Sequence, residues 1–195
     1  MKHWFGLPLL IAFLAMQSQE TGAKDMEGYA EIKFFGTSTL HDFDGTVRSK
    51  TFTVQIEGEE PAITGLEGAT IEIPVKKMDT GKKKMNKNMY KMFDADKYPL
   101  ITGTVASVNR AVDEQGKTES VQIDFNIKIR KIEKTITATV QSVRQTLDKT
   151  EVDVEMKVSC KAFKLEPPTM FGVLRVGDEV RVEATVILLE KGGNT

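Results

Sequence analysis

The sequence of 195 residues has little of what most catalytic and metal sites require, since it contains one cysteine and two histidines. One cysteine cannot form an intramolecular disulfide or supply a multi-thiolate zinc site. The 27 basic and 28 acidic side chains give a formal charge of −1. The chain therefore lacks the basic excess typical of proteins that bind nucleic acids, and we predict no nucleic-acid partner.

The N-terminal 23 residues have the pattern of a signal peptide. Lys2 and His3 form a short charged start, residues 4–16 are apolar apart from Pro8, and residues 21–23 are small enough for a cleavage site. The apolar run is too short to cross roughly 30 Å of hydrocarbon as a helix. We predict cleavage near Ala23, a mature domain of residues 24–195, and a periplasmic or secreted location. An uncleaved N-terminal anchor is the alternative.

Alternation of apolar and polar residues dominates the rest of the chain. It is clearest over residues 121–129, 152–158 and 180–188, and shorter runs lie at 29–37, 52–56, 69–75, 100–108 and 135–142. Such alternation is typical of half-buried antiparallel strands. A sheet of eight or nine strands must close or form two layers to bury its apolar face. We therefore predict a single all-β domain, with closure into an antiparallel barrel removing exposed edges.

One segment, residues 82–93, has helical periodicity instead. Met85, Met89 and Met92 share one face, with Phe93 beside them, whereas Lys83, Lys87 and Lys91 lie on the opposite face. The methionine face has two interpretations: a plug that completes the core, or an adaptable lid over a ligand entrance. The lysines then predict transient contact with an anionic membrane surface. A second irregular stretch, residues 160–177, is predicted to be a loop over one end of the sheet.

Catalytic chemistry has few candidate residues. Beyond the predicted signal peptide, His41 is the only histidine, and it lies beside a turn, where a hydrogen bond to backbone or to a neighbouring carboxylate is its simplest role. Cys160 is interpreted as a small buried apolar residue. Calcium-loop, phosphate-loop and histidine-rich patterns are missing from the sequence. We predict no catalytic residue, no metal site and no cofactor.

The inward face of the predicted barrel is apolar throughout. An eight-stranded barrel is either filled by side chains or holds one small ligand, and the alternation leaves both possibilities open. If the face lines a cavity, its ligand must be apolar. The predicted lumen residues are Ile32, Phe34, Val54, Ile71, Ile73, Val105, Ile123, Phe125, Ile127, Ile136, Val140, Met156, Val182 and Val186.

Four segments, in order, resemble the YceI-like family of exported bacterial lipid-binding proteins. They are Met78-Asp79-Thr80-Gly81, Phe93-Asp94-Ala95-Asp96-Lys97-Tyr98-Pro99, Phe125-Asn126-Ile127-Lys128-Ile129-Arg130 and Val176-Gly177-Asp178-Glu179-Val180. The resemblance spans roughly residues 28–190. It implies a lipocalin-like barrel whose lumen holds an isoprenoid, an isoprenoid quinone or a fatty chain, and it supplies no catalytic residues.

The sequence thus predicts an exported, non-enzymatic binding or transport protein with an apolar ligand. A small transmembrane β-barrel, a barrel with a filled core and no ligand, and a lipid hydrolase or isomerase using carboxylates alone are the alternatives. The low aromatic content, 7%, disfavours the two aromatic girdles of a transmembrane barrel. The sequence leaves the oligomeric state open, and a dimer is compatible with it.

Overall fold

A computed structural model describes residues 24–39, 41–56, 64–112, 114–115, 117–167 and 176–190. The predicted signal peptide lies outside the described residues. Nine strands and one α-helix form the framework, joined by 3-10 turns at Thr64–Leu66, Val75–Lys77 and Lys161–Phe163. The elements are β1 Lys24–Ser38, β2 Phe43–Arg48, β3 Phe52–Ile56, β4 Thr70–Pro74, α1 Lys83–Met92, β5 Leu100–Val112, β6 Thr118–Ile129, β7 Ile132–Gln145, β8 Lys149–Ser159 and β9 Val176–Glu190.

The strands form one antiparallel sheet in the order β2-β1-β9-β8-β7-β6-β5-β4, with β3 paired to the first half of β1. The sheet curls until its two edge strands, β2 and β4, meet. There, Thr46 and Asp79 exchange backbone hydrogen bonds of 2.8 and 2.9 Å, and the Lys50 N–H donates to the Glu72 carbonyl at 2.8 Å. The predicted all-β barrel with one short helix is confirmed.

A buried serine lies where the chain passes from β2 to β3. Ser49 exchanges hydrogen bonds with Ala30 of β1, accepting from its N–H at 2.8 Å and donating its own N–H to the Ala30 carbonyl at 2.9 Å. The Ser49 hydroxyl also donates to the Lys50 carbonyl. Ser49 thus pairs with the Ala30 backbone at the point where the partner of β1 changes from β2 to β3. The buried polar groups at this change of partner are therefore satisfied.

The inward side chains divide the barrel into two halves along its axis. The half near the β5–β6 and β7–β8 turns is solidly packed, and we call it the filled half. Its inward residues include Ile123, which is 1% exposed, and Ala138, Val152 and Leu188, which are 0% exposed. The 3-10 turn Thr64–Leu66 contacts β3 and β5 there, with Leu66 buried. The other half, towards α1 and the β6–β7 turn, encloses the cavity described below and is called the hollow half.

Among the described residues, no helix combines the length and the apolar character needed to cross a bilayer.

Candidate functional site: the barrel lumen

A cavity of about 500 Å³ occupies the hollow half of the barrel. Its wall is formed by inward residues of β1, β2, β4, β5, β6, β8 and β9, and nearly all of them are apolar. The volume lies within the range of about 300–1,000 Å³ found for small-molecule sites. Such a wall favours an apolar ligand, because its apolar side chains offer a polar group no hydrogen-bond partner.

Three small residues lie in the cavity wall. Ala30 of β1, Gly103 of β5 and Ala184 of β9 all face the cavity. A β-carbon placed on Gly103 would meet no heavy atom closer than Phe125 Cδ1, at 3.9 Å. The glycine is therefore not required by crowding, and its missing side chain leaves open volume between β5 and β6.

The helix α1 covers the hollow half with its methionine face. Met85, Met89, Met92 and Phe93, the four predicted lid residues, all line the cavity. Lys83, Lys87 and Lys91 are exposed on the outer face of the helix. The methionine face thus borders the cavity.

A hydrogen-bond network fixes the start of α1, although its N-cap residue, Lys82, makes no side-chain cap. The Asn86 amide oxygen accepts from the Thr80 N–H at 2.9 Å and from the Thr80 hydroxyl at 2.6 Å. The Asn86 amide group donates to Asp79 Oδ1 at 2.6 Å, and the Gly81 N–H donates to the same oxygen at 2.8 Å. The two bonds that Asp79 accepts, chiefly the one from Asn86 and then the one from Gly81, lower the pKa of its carboxyl.

Gly81 adopts a left-handed conformation (φ 70°) in this turn, a geometry that favours glycine. On the next turns of the helix, the Tyr90 hydroxyl donates to the Met78 carbonyl at 2.7 Å. The helix is therefore attached to the barrel rim by Asn86 and Tyr90 as well as by its apolar face. Sequence reasoning credited the methionine face alone and missed both anchors.

Polar residues occur only at the mouth of the cavity, in the part of its wall that the structure describes. They are Ser38, His41, Thr80, Lys82, Lys84 and Asn88. The set holds two lysines and no carboxylate. His41 uses its backbone there, since its N–H donates to the Ser38 hydroxyl and its carbonyl accepts from that hydroxyl. The mouth therefore favours a ligand group that accepts hydrogen bonds or carries negative charge.

The structure brings nine of the fourteen predicted lumen residues to the cavity wall. They are Ile32, Phe34, Ile71, Ile73, Phe125, Ile127, Met156, Val182 and Val186.

The structure differs at five positions, which lie outside the cavity lining. Val54, Val105 and Ile123 are buried in the filled half, while Ile136 and Val140 of β7 are half-buried and pack against the core. Their inward orientation follows the alternation, but alternation carries no information about position along the barrel axis.

Several lining residues escaped sequence reasoning. Phe43 and Met78 lie beside turns, outside any long alternating run, while Val154, Val158 and Ala184 lie in alternating runs on the same face as the predicted lumen residues Met156 and Val182. Leu165 and Pro167 come from the predicted loop of residues 160–177, which contains the 3-10 turn Lys161–Phe163 and meets β9 at Val176. Residues 168–175 of that loop lie outside the described residues. Alternation alone would have found Val154, Val158 and Ala184.

Cys160 is buried and also lines the cavity. Burial, followed by the nearby Asp178 carboxylate, raises the pKa of its thiol. The thiolate is therefore disfavoured, and the residue contributes apolar surface. Within the described ranges, no group of three or more His, Cys, Asp or Glu residues is placed to hold a metal ion.

An antiparallel barrel with an apolar lumen and a helix over its mouth defines a lipocalin-like class of protein. Within this class, the YceI-like domain family model matches residues 24–188, and the chain belongs to that family.

Two solved structures share this fold. A polyisoprenoid-binding domain from Saccharophagus degradans has a TM-score of 0.61 and 16% identity, over 85% of this chain and 98% of that one. BcnA from Burkholderia cenocepacia has a TM-score of 0.60 and 17% identity, over 81% of this chain and 95% of that one. No curated protein matches the sequence.

Proposed function

We propose that this protein is an exported, non-enzymatic binding or transport protein that holds one long apolar chain in the hollow half of its barrel. An isoprenoid, an isoprenoid quinone or a fatty chain fits this role. The apolar cavity of about 500 Å³ under α1 carries the proposal. The similar fold of a domain described as polyisoprenoid-binding supports the isoprenoid class, and the pattern of residues 1–23 supports export.

The outer wall supports an aqueous environment for this barrel. A transmembrane barrel presents an outward apolar band to lipid. Here the outer face of β7 and β8 carries Arg144, which bonds to Glu151 at 3.0 Å and to Asp153 at 2.6 Å. On β6, Asp124 accepts from the hydroxyls of Ser107 and Thr137. Such charged networks would be costly in hydrocarbon.

The polar mouth orients the ligand in this proposal. Its apolar tail lies in the lumen, and its headgroup lies beside Lys82, Lys84 and Asn88. A ligand with an acidic headgroup gains charge-assisted hydrogen bonds from the two lysines. The same chain with a neutral headgroup would fill the lumen equally well and lose those bonds.

Native mass spectrometry of protein purified from a lipid-containing host tests the function. We expect a mass above that of the bare chain, and saturable uptake of an added isoprenoid quinone or fatty acid after delipidation. Ile127→Trp fills the lumen and should abolish uptake, whereas Lys128→Trp, on the exposed face of the same strand, should leave it intact. A bare mass without uptake, or equal uptake by both folded variants, contradicts the proposal.

A second titration tests the headgroup. A fatty acid and its methyl ester are compared on the unaltered protein, on Lys82→Gln/Lys84→Gln, and on Lys83→Gln/Lys87→Gln as the control. We expect the first double variant to lose about tenfold in affinity for the acid, equivalent to about 1.4 kcal/mol, and to bind the ester unchanged. Equal losses in both double variants would mean that total helix charge, and not the mouth, sets the preference.

We also propose that Lys83, Lys87 and Lys91 guide the protein transiently to anionic membranes. All three are exposed and form no ion pair with another described residue. Co-sedimentation with vesicles that contain an anionic lipid should exceed that with neutral vesicles, and the triple glutamine variant should lose the difference. Equal sedimentation with both vesicle types would overturn this contact and leave the ligand site untouched.

A further inference from the structure

The barrel wall separates between β7 and β8 in the hollow half. The two strands pair from Gln145 opposite Thr150 up to Thr139 opposite Glu155, with a bulge between Val140 and Ser142. Beyond that point, residues 132–138 of β7 pair only with β6, and residues 156–159 of β8 pair only with β9. A bulge increases local twist, so its position just before the separation gives a physical reason for the two strands to diverge.

A cleft of about 400 Å³ occupies this separation. Its rim is polar, with Thr137 and Gln141 on β7 and Glu155 and Lys157 on β8. Met156 belongs to the lining of the cleft and to the lining of the lumen, and it is the only residue common to the two described linings. Met156 therefore borders both the outer cleft and the apolar interior, and Ile136, the other apolar residue of the cleft lining, packs against the core beside it.

The 3-10 turn Lys161–Phe163, which follows β8, contacts both separated strands. Phe163 is 1% exposed and packs into the core from this turn. The turn thus closes the separation beyond the end of β8, and the cleft remains between the turn and the last paired residues, Thr139 and Glu155. This remaining part is bounded by side chains rather than by a backbone ladder.

The other junction of the barrel is built differently. Where β2 meets β4, three backbone hydrogen bonds and an ion pair of 2.8 Å between Lys50 and Glu72 join the two edges. In the described structure, no backbone pairing joins residues 132–138 of β7 to residues 156–159 of β8. Opening the β7–β8 separation requires movement of Met156, whose unbranched side chain has several accessible rotamers.

We propose that the cleft between β7 and β8 is a lateral portal, through which an apolar chain slides into and out of the lumen past Met156. This inference rests on the proposed binding function and adds a route to it. The mouth is covered by α1, which Asn86 and Tyr90 attach to the rim. A portal in the wall lets the tail pass sideways without detaching that helix.

A reversible disulfide tests the route. Extending the register of Thr139 opposite Glu155 places Thr137 opposite Lys157, so Thr137→Cys/Lys157→Cys joins the separated strands once they approach each other. The variant is made in a Cys160→Ala background to remove the native thiol. Arg144→Cys/Glu151→Cys in the same background is the control, because these two residues are already paired in the same two strands, near the β7–β8 turn.

Binding is followed with cis-parinaric acid, a fatty acid that becomes fluorescent in apolar surroundings. Oxidation of the portal pair should slow association and dissociation together by about tenfold or more, as expected of a raised barrier, with the equilibrium affinity nearly unchanged. Reduction should restore both rates, and the control disulfide should alter neither. Unchanged rates in the oxidised portal variant would overturn the portal.

Two substitutions of Met156 test the portal if the cysteine pair does not oxidise. Met156→Ala should accelerate both association and dissociation, and Met156→Trp should slow both. Unchanged association and dissociation rates would overturn the portal while leaving the binding function intact. So would a change in which one rate rises and the other falls, because that pattern reflects altered affinity and not an altered route. Absence of saturable binding by the unaltered protein would instead overturn the proposed function, and the portal with it.

Discussion

The filled and hollow halves of this barrel differ although their strands have the same pattern. On β6, Ile123 is 1% exposed in the filled half, whereas Ile127, four residues further and on the same face, borders the cavity. Both residues belong to a single alternating run. Alternation therefore decides which face is inward, whereas local strand geometry and side-chain volume decide whether the inward space is occupied.

Two structural differences account for the contrast. Small residues, Ala30, Gly103 and Ala184, face the lumen in the hollow half. The filled half is closed by β3 and the turn Thr64–Leu66, and the β5–β6 pair carries a bulge at Val105/Ser107. A bulge bends and twists its strand, which helps the wall to converge on the packed side chains.

Truncation of the same residue type in each half should give the largest difference. Ile123→Ala removes packed atoms and should lower the free energy of unfolding by about 2–5 kcal/mol. Ile127→Ala should cost clearly less, because its side chain already borders open space. Urea denaturation of the delipidated variants measures both. Equal losses would mean that the cavity region is as tightly packed as the filled half.

Enlarging one small residue in each half should change stability by a smaller amount. Ala138→Leu adds atoms to the packed interior of the filled half, where Ala138 is 0% exposed, and should destabilise the protein by about 1–3 kcal/mol. Gly103→Leu extends into the cavity, where the nearest atom to a new β-carbon is 3.9 Å away, and should leave stability unchanged or raise it. Its ligand uptake should be lost. Retained uptake by a folded Gly103→Leu variant would place the ligand elsewhere.

The smallest effect should come from the outer wall of the filled half. There Asp153 accepts from Arg144, Thr185 and Ser142, and these bonds, with that from Arg144 contributing most, lower the pKa of Asp153 to about 2. A lowered carboxyl pKa contributes stability above the ordinary value of 3.8, and that contribution disappears as pH falls towards 2.

Asp153→Asn should therefore flatten the stability profile between pH 4 and pH 2. Its cost at neutral pH should be below about 1 kcal/mol, as for other partly exposed ion pairs. Asp42→Asn, an exposed residue before β2 without an ion pair among the described residues, is the control. Urea denaturation at several pH values measures the change. An Asp153→Asn loss as large as that of Ile123→Ala would mean that the outer network, and not the core, stabilises the filled half.

Much of the architecture followed from the pattern of the chain. The alternating runs predicted the barrel strands, and the spacing of Met85, Met89 and Met92 predicted the helix and its apolar face. The pattern could not separate Ile136 and Val140 from true lining residues, because β7 contributes no residue to the described cavity lining. Asn86 and Tyr90 were equally hidden, since their partners, Asp79, Thr80 and Met78, are fixed by the chain's path over the rim.

The sequence by itself determined the all-β class, the inward face of each strand and the apolar character of any ligand, because these depend on residue type and period alone. Only the tertiary structure decided that the barrel is half filled and half hollow, that lysines stand at its mouth, and that β7 and β8 part beside Met156. Those features arise from closure, bulges and the packing of distant segments. No local pattern specifies how much volume remains when the inward faces meet.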